Sequence, residues 1–147
     1  MRAIDDWLIE HGNRVAAELD RRAEQLCRMV SAQLERTYPN LCLDAERADA
    51  AQFQKHMFEE SPRRLHRLLQ TALRLRAVEI IPRECQWMLD LAPQYGIANQ
   101  HMYAMARWYF EAARTLATID SADRRALDMI EQLFLTTFEY KAAPPRA

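Results

Sequence analysis

Only two glycines occur in 147 residues, Gly12 and Gly96. A sheet protein of this length turns its chain in tight hairpins, and those turns draw on Gly or Asn-Gly for positive φ. Two glycines cannot supply them. The chain is therefore expected to be all-α, with helices joined by few, simple corners. Its length fits one domain and suffices to bury about two-thirds of the surface an unfolded chain exposes. Hydrophobic residues make up 50% and charged residues 28%, the balance of a globular chain and not of a disordered one.

Periodicity and punctuation place the helices. A short first helix is expected over Ile4 to His11, broken by Gly12 and Asn13. Asn13 then caps a long helix through Thr37, apolar at Val15, Leu19, Leu26, Val30 and Leu34. Pro39 ends it, because the residue before a proline avoids the helical region. Asp44 is expected to cap a helix from Ala45 to about Glu59, with Phe53 and Met57 on one side. Ser61 and Pro62 read as the cap and first position of a new helix. That helix runs to about Val78 with a stripe at Leu65, Leu68, Leu69, Ala72, Leu73 and Leu75. Pro82 opens the next, where Cys85, Met88, Leu89 and Ala92 share a face. Pro93 should loosen its last turns, and Gly96 supplies the turn that closes it. Asn99 caps a long helix to near Thr118, and Ser121 caps the last, with Asp123 near its positive end. Leu127, Ile130, Phe134 and Phe138 form that helix's apolar face. Residues 1–141 read as a single helical domain and 142–147, with paired prolines, as a linker-like tail.

Several function classes are disfavoured. The net charge of −1 offers no global field for nucleic acid. The arginines at 63, 64, 67, 74 and 76 read as a solvated helix face. Three cysteines without a CxxC pair suggest neither a zinc site nor a disulfide framework, and point to a reducing, cytoplasmic setting. Cys27 and Cys85 lie near apolar stripes and read as space-fillers. The N-terminus is acidic and amphipathic, unlike a signal peptide, and no apolar run is long enough to cross a membrane. Two glycines leave no phosphate-binding loop, dinucleotide fingerprint or GxSxG elbow. There is no HExxH, and no glutamate stands three residues before any of the four histidines, as di-iron bundles require. His11 and His56 have polar neighbours and read as exposed. No catalytic residue and no metal site is expected, and the chain is not expected to be an enzyme.

One corner is distinctive. A helical pattern runs into Tyr95, Gly96 and Ile97, and a longer one opens at Tyr103. With a leucine-striped helix before it and two long helices after it, this order resembles the globin fold. It is closer still to the globin-type sensor domains of bacteria, whose junction of F and G helices carries a comparable Tyr-Gly-Val or Ile-Gly-Leu motif followed by a tyrosine. The resemblance covers roughly Ser31 to Tyr140, and its specific part is about a dozen residues. It implies a globin-like bundle of about six to eight helices. It also sets Ala92 or Pro93 at the position of the iron-binding histidine.

The resemblance therefore implies a haem-free sensor or signalling domain, similar to the N-terminal modules of bacterial stress regulators. Its ligand would be small and apolar. Its pocket candidates are His66, Leu69, Leu73, Trp87, Leu91 and Tyr95. For His66 the competing reading is a surface histidine between Arg64 and Arg67; for Trp87 and Tyr95 it is core packing. The last two helices are long enough for an intermolecular four-helix bundle, with Tyr103, Phe110, Leu127 and Phe134 as candidates for a homodimer interface. An output domain or signalling partner would receive the signal, with no nucleic acid and no membrane involved. Two alternatives stand beside it: a gas-sensing globin holding haem through an unconventional ligand, and an interaction adaptor with no ligand.

Overall fold

A computed structural model describes residues 2–43 and 47–142. Among the described residues there are six α-helices and no strand. They are α1 (Arg2–Arg21), α2 (Ala23–Thr37), α3 (Ala50–Leu75), α4 (Ile80–Leu91), α5 (Asn99–Leu116) and α6 (Ser121–Ala142), with a 3₁₀ turn at Ala92–Tyr95 between α4 and α5. In space α5 lies along α6 and α2, α4 packs on α6, and α1 packs on both α3 and α6. No described helix is long and apolar enough to cross a membrane.

The first helix does not break at Gly12. It continues to Arg21 and bends at Arg22, whose N–H bonds the Leu19 carbonyl three residues back. Asn13 is an exposed mid-helix residue and caps nothing. Gly12 is buried instead, because α1 crosses α3 at close range. A Cβ there would lie 2.9 Å from the Leu73 carbonyl oxygen, so the missing side chain permits the approach.

Pro62 does not start a helix either. It is buried inside α3, which runs unbroken from Ala50. A proline in mid-helix leaves the carbonyl four residues back without its donor. That carbonyl belongs to Phe58, and the Ser31 hydroxyl donates to it from α2 at 2.6 Å. A tertiary hydrogen bond thus replaces the helical one. The expected cap at Asp44 and the start at Ala45 lie outside the described residues; the helix itself begins at Ala50. It ends at Leu75, short of Val78, because Arg76 turns left-handed (φ 55°) and its N–H closes on the Ala72 carbonyl.

The corner after α4 follows the expectation. The chain tightens to a 3₁₀ turn at Pro93, and Gly96 adopts φ 73° with its N–H on the Pro93 carbonyl. Capping differs at the next two helices. Asn99 is the first residue of α5, and its amide donates to the Phe138 carbonyl near the end of α6. His101 Nδ1 accepts the Ala98 N–H instead. At α6, Asp120 rather than Ser121 accepts the Asp123 N–H, at 2.9 Å. The Asp123 carboxylate is 1% exposed. It accepts from Trp7 Nε1 at 2.9 Å and from Arg14 at 2.9 and 3.1 Å, which fastens α1 to the start of α6.

Candidate functional site

The most ligand-like concavity lies where α3, α4 and α5 diverge around the Gly96 corner. It is a groove of about 300 Å³, at the lower end of the roughly 300–1,000 Å³ common for ligand sites. From α3 it receives Phe53, His56, Met57, Ser61 and Arg64. These positions recur every three or four residues, so they share one face. From α4 come Trp87, Met88 and Leu91, and the corner adds Ala92, Tyr95 and Ile97. The floor is Met102 and Met105 of α5, both buried. Four methionine side chains give this lining an adaptable, polarizable surface. Its ionisable groups are Arg64, His56 and Tyr95, and no carboxylate lines it. Trp87 is 55% and Tyr95 40% exposed at the mouth. A neighbouring groove shares Phe53 and Tyr95, with the Arg47 guanidinium 4.0 Å above the Phe53 ring.

Of the six expected pocket residues, the groove gathers Trp87, Leu91 and Tyr95. Leu69 and Leu73 are fully buried in the core and do not line it. Nor does His66, which is no surface residue: it is 6% exposed. Its Nδ1 meets the Tyr109 hydroxyl at 2.7 Å and its Nε2 meets Asp20 Oδ1 at 3.0 Å. A carboxylate only accepts, so Nε2 carries the hydrogen and Nδ1 accepts from the tyrosine. This relay ties α3 to α1 and α5. Burial holds the Tyr109 hydroxyl well above its ordinary pKa, helped by Cys27 and Asp20 nearby, so it stays a donor.

The expected dimer residues fall differently again. Phe110, Leu127 and Phe134 have no exposed surface. Phe110 meets Tyr109 edge to face and Phe134 at a tilt, with ring centroids 5.4 and 5.5 Å apart. They hold α5 to α6 within one chain and are closed to a second. Tyr103 is half-buried beside the core.

Phe53, His56, Met57, Met88, Met102 and Met105 were not among the expected pocket residues. The signal for the first three was the Phe53–Met57 spacing, which continues through Ser61 and Arg64 once Pro62 is allowed inside the helix. Neither Ala92 nor Pro93, the two residues that the resemblance set at an iron-binding position, has a ligating side-chain atom: Ala92 is buried and Pro93 exposed. Among the described residues no three His, Cys, Asp or Glu side chains gather as a metal site. The cysteines are free and buried. Burial pushes Cys85 up to about 12 and Cys42 to about 11. It raises Cys27 too, against the lowering pull of Arg63 and Arg67, so all three remain thiols near neutral pH.

These features define an all-helical domain with a small apolar groove at a glycine corner. No protein-family model, curated protein or solved structure matches the chain.

Proposed function

We propose that this chain is a haem-free, globin-like sensor or signalling domain, cytoplasmic and homodimeric, that takes a small apolar ligand in the α3–α4–α5 groove. The observation that carries the reading is the groove itself: apolar, methionine-floored, and set at the corner whose Tyr95, Gly96 and Tyr103 resemble a globin F–G junction. The pairwise packing of helices around it is consistent with a globin-like bundle. Haem held by the usual histidine has no ligand at Ala92 or Pro93. The haem-binding alternative would have to use His56, Tyr95 or one of the four methionines that line the groove.

Signalling follows from the connections of α5. Met102 and Met105 touch the ligand space, and the same helix packs along α6 through Phe110 and Phe134. A ligand that favours one placement of α5 over another would shift α6 and whatever output or partner follows the domain. It does so only through a difference in affinity between the two states. Reversing a 1:99 population needs about 5.5 kcal/mol of such difference, so a small ligand would bias the equilibrium rather than throw a switch.

The test is titration with a neutral naphthylamine dye, read by its fluorescence. Saturable binding is expected, and Leu91→Trp, which fills the groove, should abolish it. A dye that binds wild type and Leu91→Trp alike overturns the site. Absence of binding favours the adaptor reading, which the exposed Trp87 and Tyr95 also support. A Soret band on adding haem would decide for the haem alternative.

A further inference from the structure

We infer that the first half of α3, residues 50–61, is an arm hinged at Pro62 that swings away from α2 and closes over a ligand in the groove. The inference rests on the ligand site proposed above and gives it a moving wall.

The two halves of α3 are held very differently. Of residues 50–61 only Phe58 is buried, whereas residues 62–75 carry seven buried residues, Leu65, Leu69 and Leu73 among them. A segment with little buried apolar surface opens locally at low free energy, and a core segment does not. Between the halves stands Pro62. A proline interrupts the hydrogen-bond ladder at its own position, which is where helices bend. The Phe58 carbonyl is held from α2 by Ser31 and not by residue 62, so a ladder bond that would resist a change of bend is already missing.

The arm also has room to move. On its α2 side lies a cleft of about 480 Å³, lined from the arm by Gln54, Lys55 and Phe58. On its other side lies the groove, which takes Phe53, Met57 and Ser61 of the same arm. Packed interiors leave few such voids, so an element with open space along two faces is not locked by its neighbours. Its hydrogen-bonded tethers come from α2 and the segment just after it. The Ser31 hydroxyl donates to the Phe58 carbonyl at 2.6 Å, and the Gln54 amide donates to the Pro39 and Leu41 carbonyls at 2.6 and 2.9 Å. Glu60 pairs with Arg64 and Arg67 beyond the proline, but both arginines are exposed and such pairs hold weakly. Toward the far wall the Phe53 ring already lies 5.9 Å from that of Tyr95.

Closure supplies what the groove lacks. Ligand sites bury most of a ligand, and this one leaves Trp87 and Tyr95 open to water at its mouth. Moving Phe53 and Met57 toward Trp87 and Met88 adds the missing wall and takes more apolar surface out of water. A ligand drives this only as far as the closed form binds it better. Opposing it are the tethering hydrogen bonds, whose groups regain water when released and whose net worth is therefore small.

Hydrogen exchange of the full chain, with and without the neutral naphthylamine dye, tests this directly. Without dye, the amides of residues 54–61 should exchange about tenfold faster than those of 65–73, or more. Saturating dye should raise protection in 54–61 with little change in 65–73. Ser31→Ala and Gln54→Ala release the arm, so each should slow dye dissociation about threefold or more, the weight of one net hydrogen bond, while lowering stability to urea. A purely structural role predicts the opposite, because a loosened fold holds its ligand less well. Pro62→Ala restores the ladder and stiffens the hinge, so it should speed dissociation and erase the dye-induced protection. Arm amides as protected as those of 65–73 in the free protein overturn the inference. So does dye that binds without protecting the arm, or tether variants that release dye as fast as wild type or faster; in these cases the ligand site stands. A wild type that binds no dye overturns the ligand site itself, and the closure with it.

Discussion

Pro62 would ordinarily cost α3 about 3 kcal/mol relative to alanine in a helix interior. Part of that cost is the orphaned Phe58 carbonyl, and Ser31 removes it with a 2.6 Å bond. Ser31→Ala should therefore destabilise the domain by about 1–2 kcal/mol, the penalty of a buried acceptor left unpaired. In a Pro62→Ala background the helix regains its own donor at residue 62, and the same Ser31→Ala change should cost much less. Urea unfolding of the four members of this cycle measures the difference; equal costs in both backgrounds would show that Ser31 does not compensate for Pro62. Gly12 makes a similar point. Its missing Cβ matters because the Leu73 carbonyl lies across the gap, a neighbour sixty-odd positions away in sequence.

At the scale of elements, caps divide into those readable from residue type and those decided by geometry. Gly96 is the readable kind: a left-handed closing residue best served by glycine. Arg76 closes α3 in the same conformation without being glycine, so local preference yielded to the path of the chain into α4. At α6, Asp120 and Ser121 are both good cap types, and only the observed bond from the Asp123 N–H to Asp120 chooses between them. Asp120→Ala should cost about 1 kcal/mol, whereas Ser121→Ala should be near neutral. Thermal melts of the two variants decide the assignment, and the reverse order would refute it.

Across the whole molecule, buried charges join helices distant in sequence, and they give stability a pH dependence. Glu18 of α1 accepts the Thr118 N–H at 3.0 Å beyond the end of α5. That bond, with Arg21 and Arg22 nearby, holds its carboxyl below the ordinary glutamate value. Glu60 is lowered likewise by its pairing with Arg67. A depressed carboxyl contributes stability that is present above its unfolded pKa and lost as pH falls through the folded one. Partial burial also lowers His101. The unfolded chain then binds a proton on this residue first, so stability falls as pH drops below about 6.5, the ordinary imidazole value. Unfolding followed from pH 7.5 downward should show a first loss in the imidazole range and a second in the carboxylate range. His101→Gln should remove the first and Glu18→Gln should diminish the second. A stability flat down to pH 5 would contradict the role of His101.

Much of the architecture was legible in the residues because it depends on short-range chemistry. The scarcity of glycine excluded hairpins, the leucine stripes marked helices, and Pro93 with Gly96 marked the corner. Even the apolar faces of α5 and α6 were read correctly as faces that need a partner. Which partner was not legible. An apolar residue such as Phe110 or a stripe such as Leu127–Phe134 is the same whether it meets its own chain or another, and the tertiary structure turned both inward. His66 looked like a surface residue because its sequence neighbours are arginines, yet its partners, Asp20 and Tyr109, arrive from α1 and α5. The same holds for Gly12 and Pro62, whose compensating groups come from other helices. Most of the groove was missed for a related reason: a cavity is space that packing leaves unfilled, set by how α3, α4 and α5 diverge. Sequence alone thus determined the all-helical class and the main corner, since each follows from local stereochemistry or residue type. The tertiary structure decided which faces are core, which polar groups find partners and where the apolar surface stays open, because those depend on contacts between residues far apart in the chain.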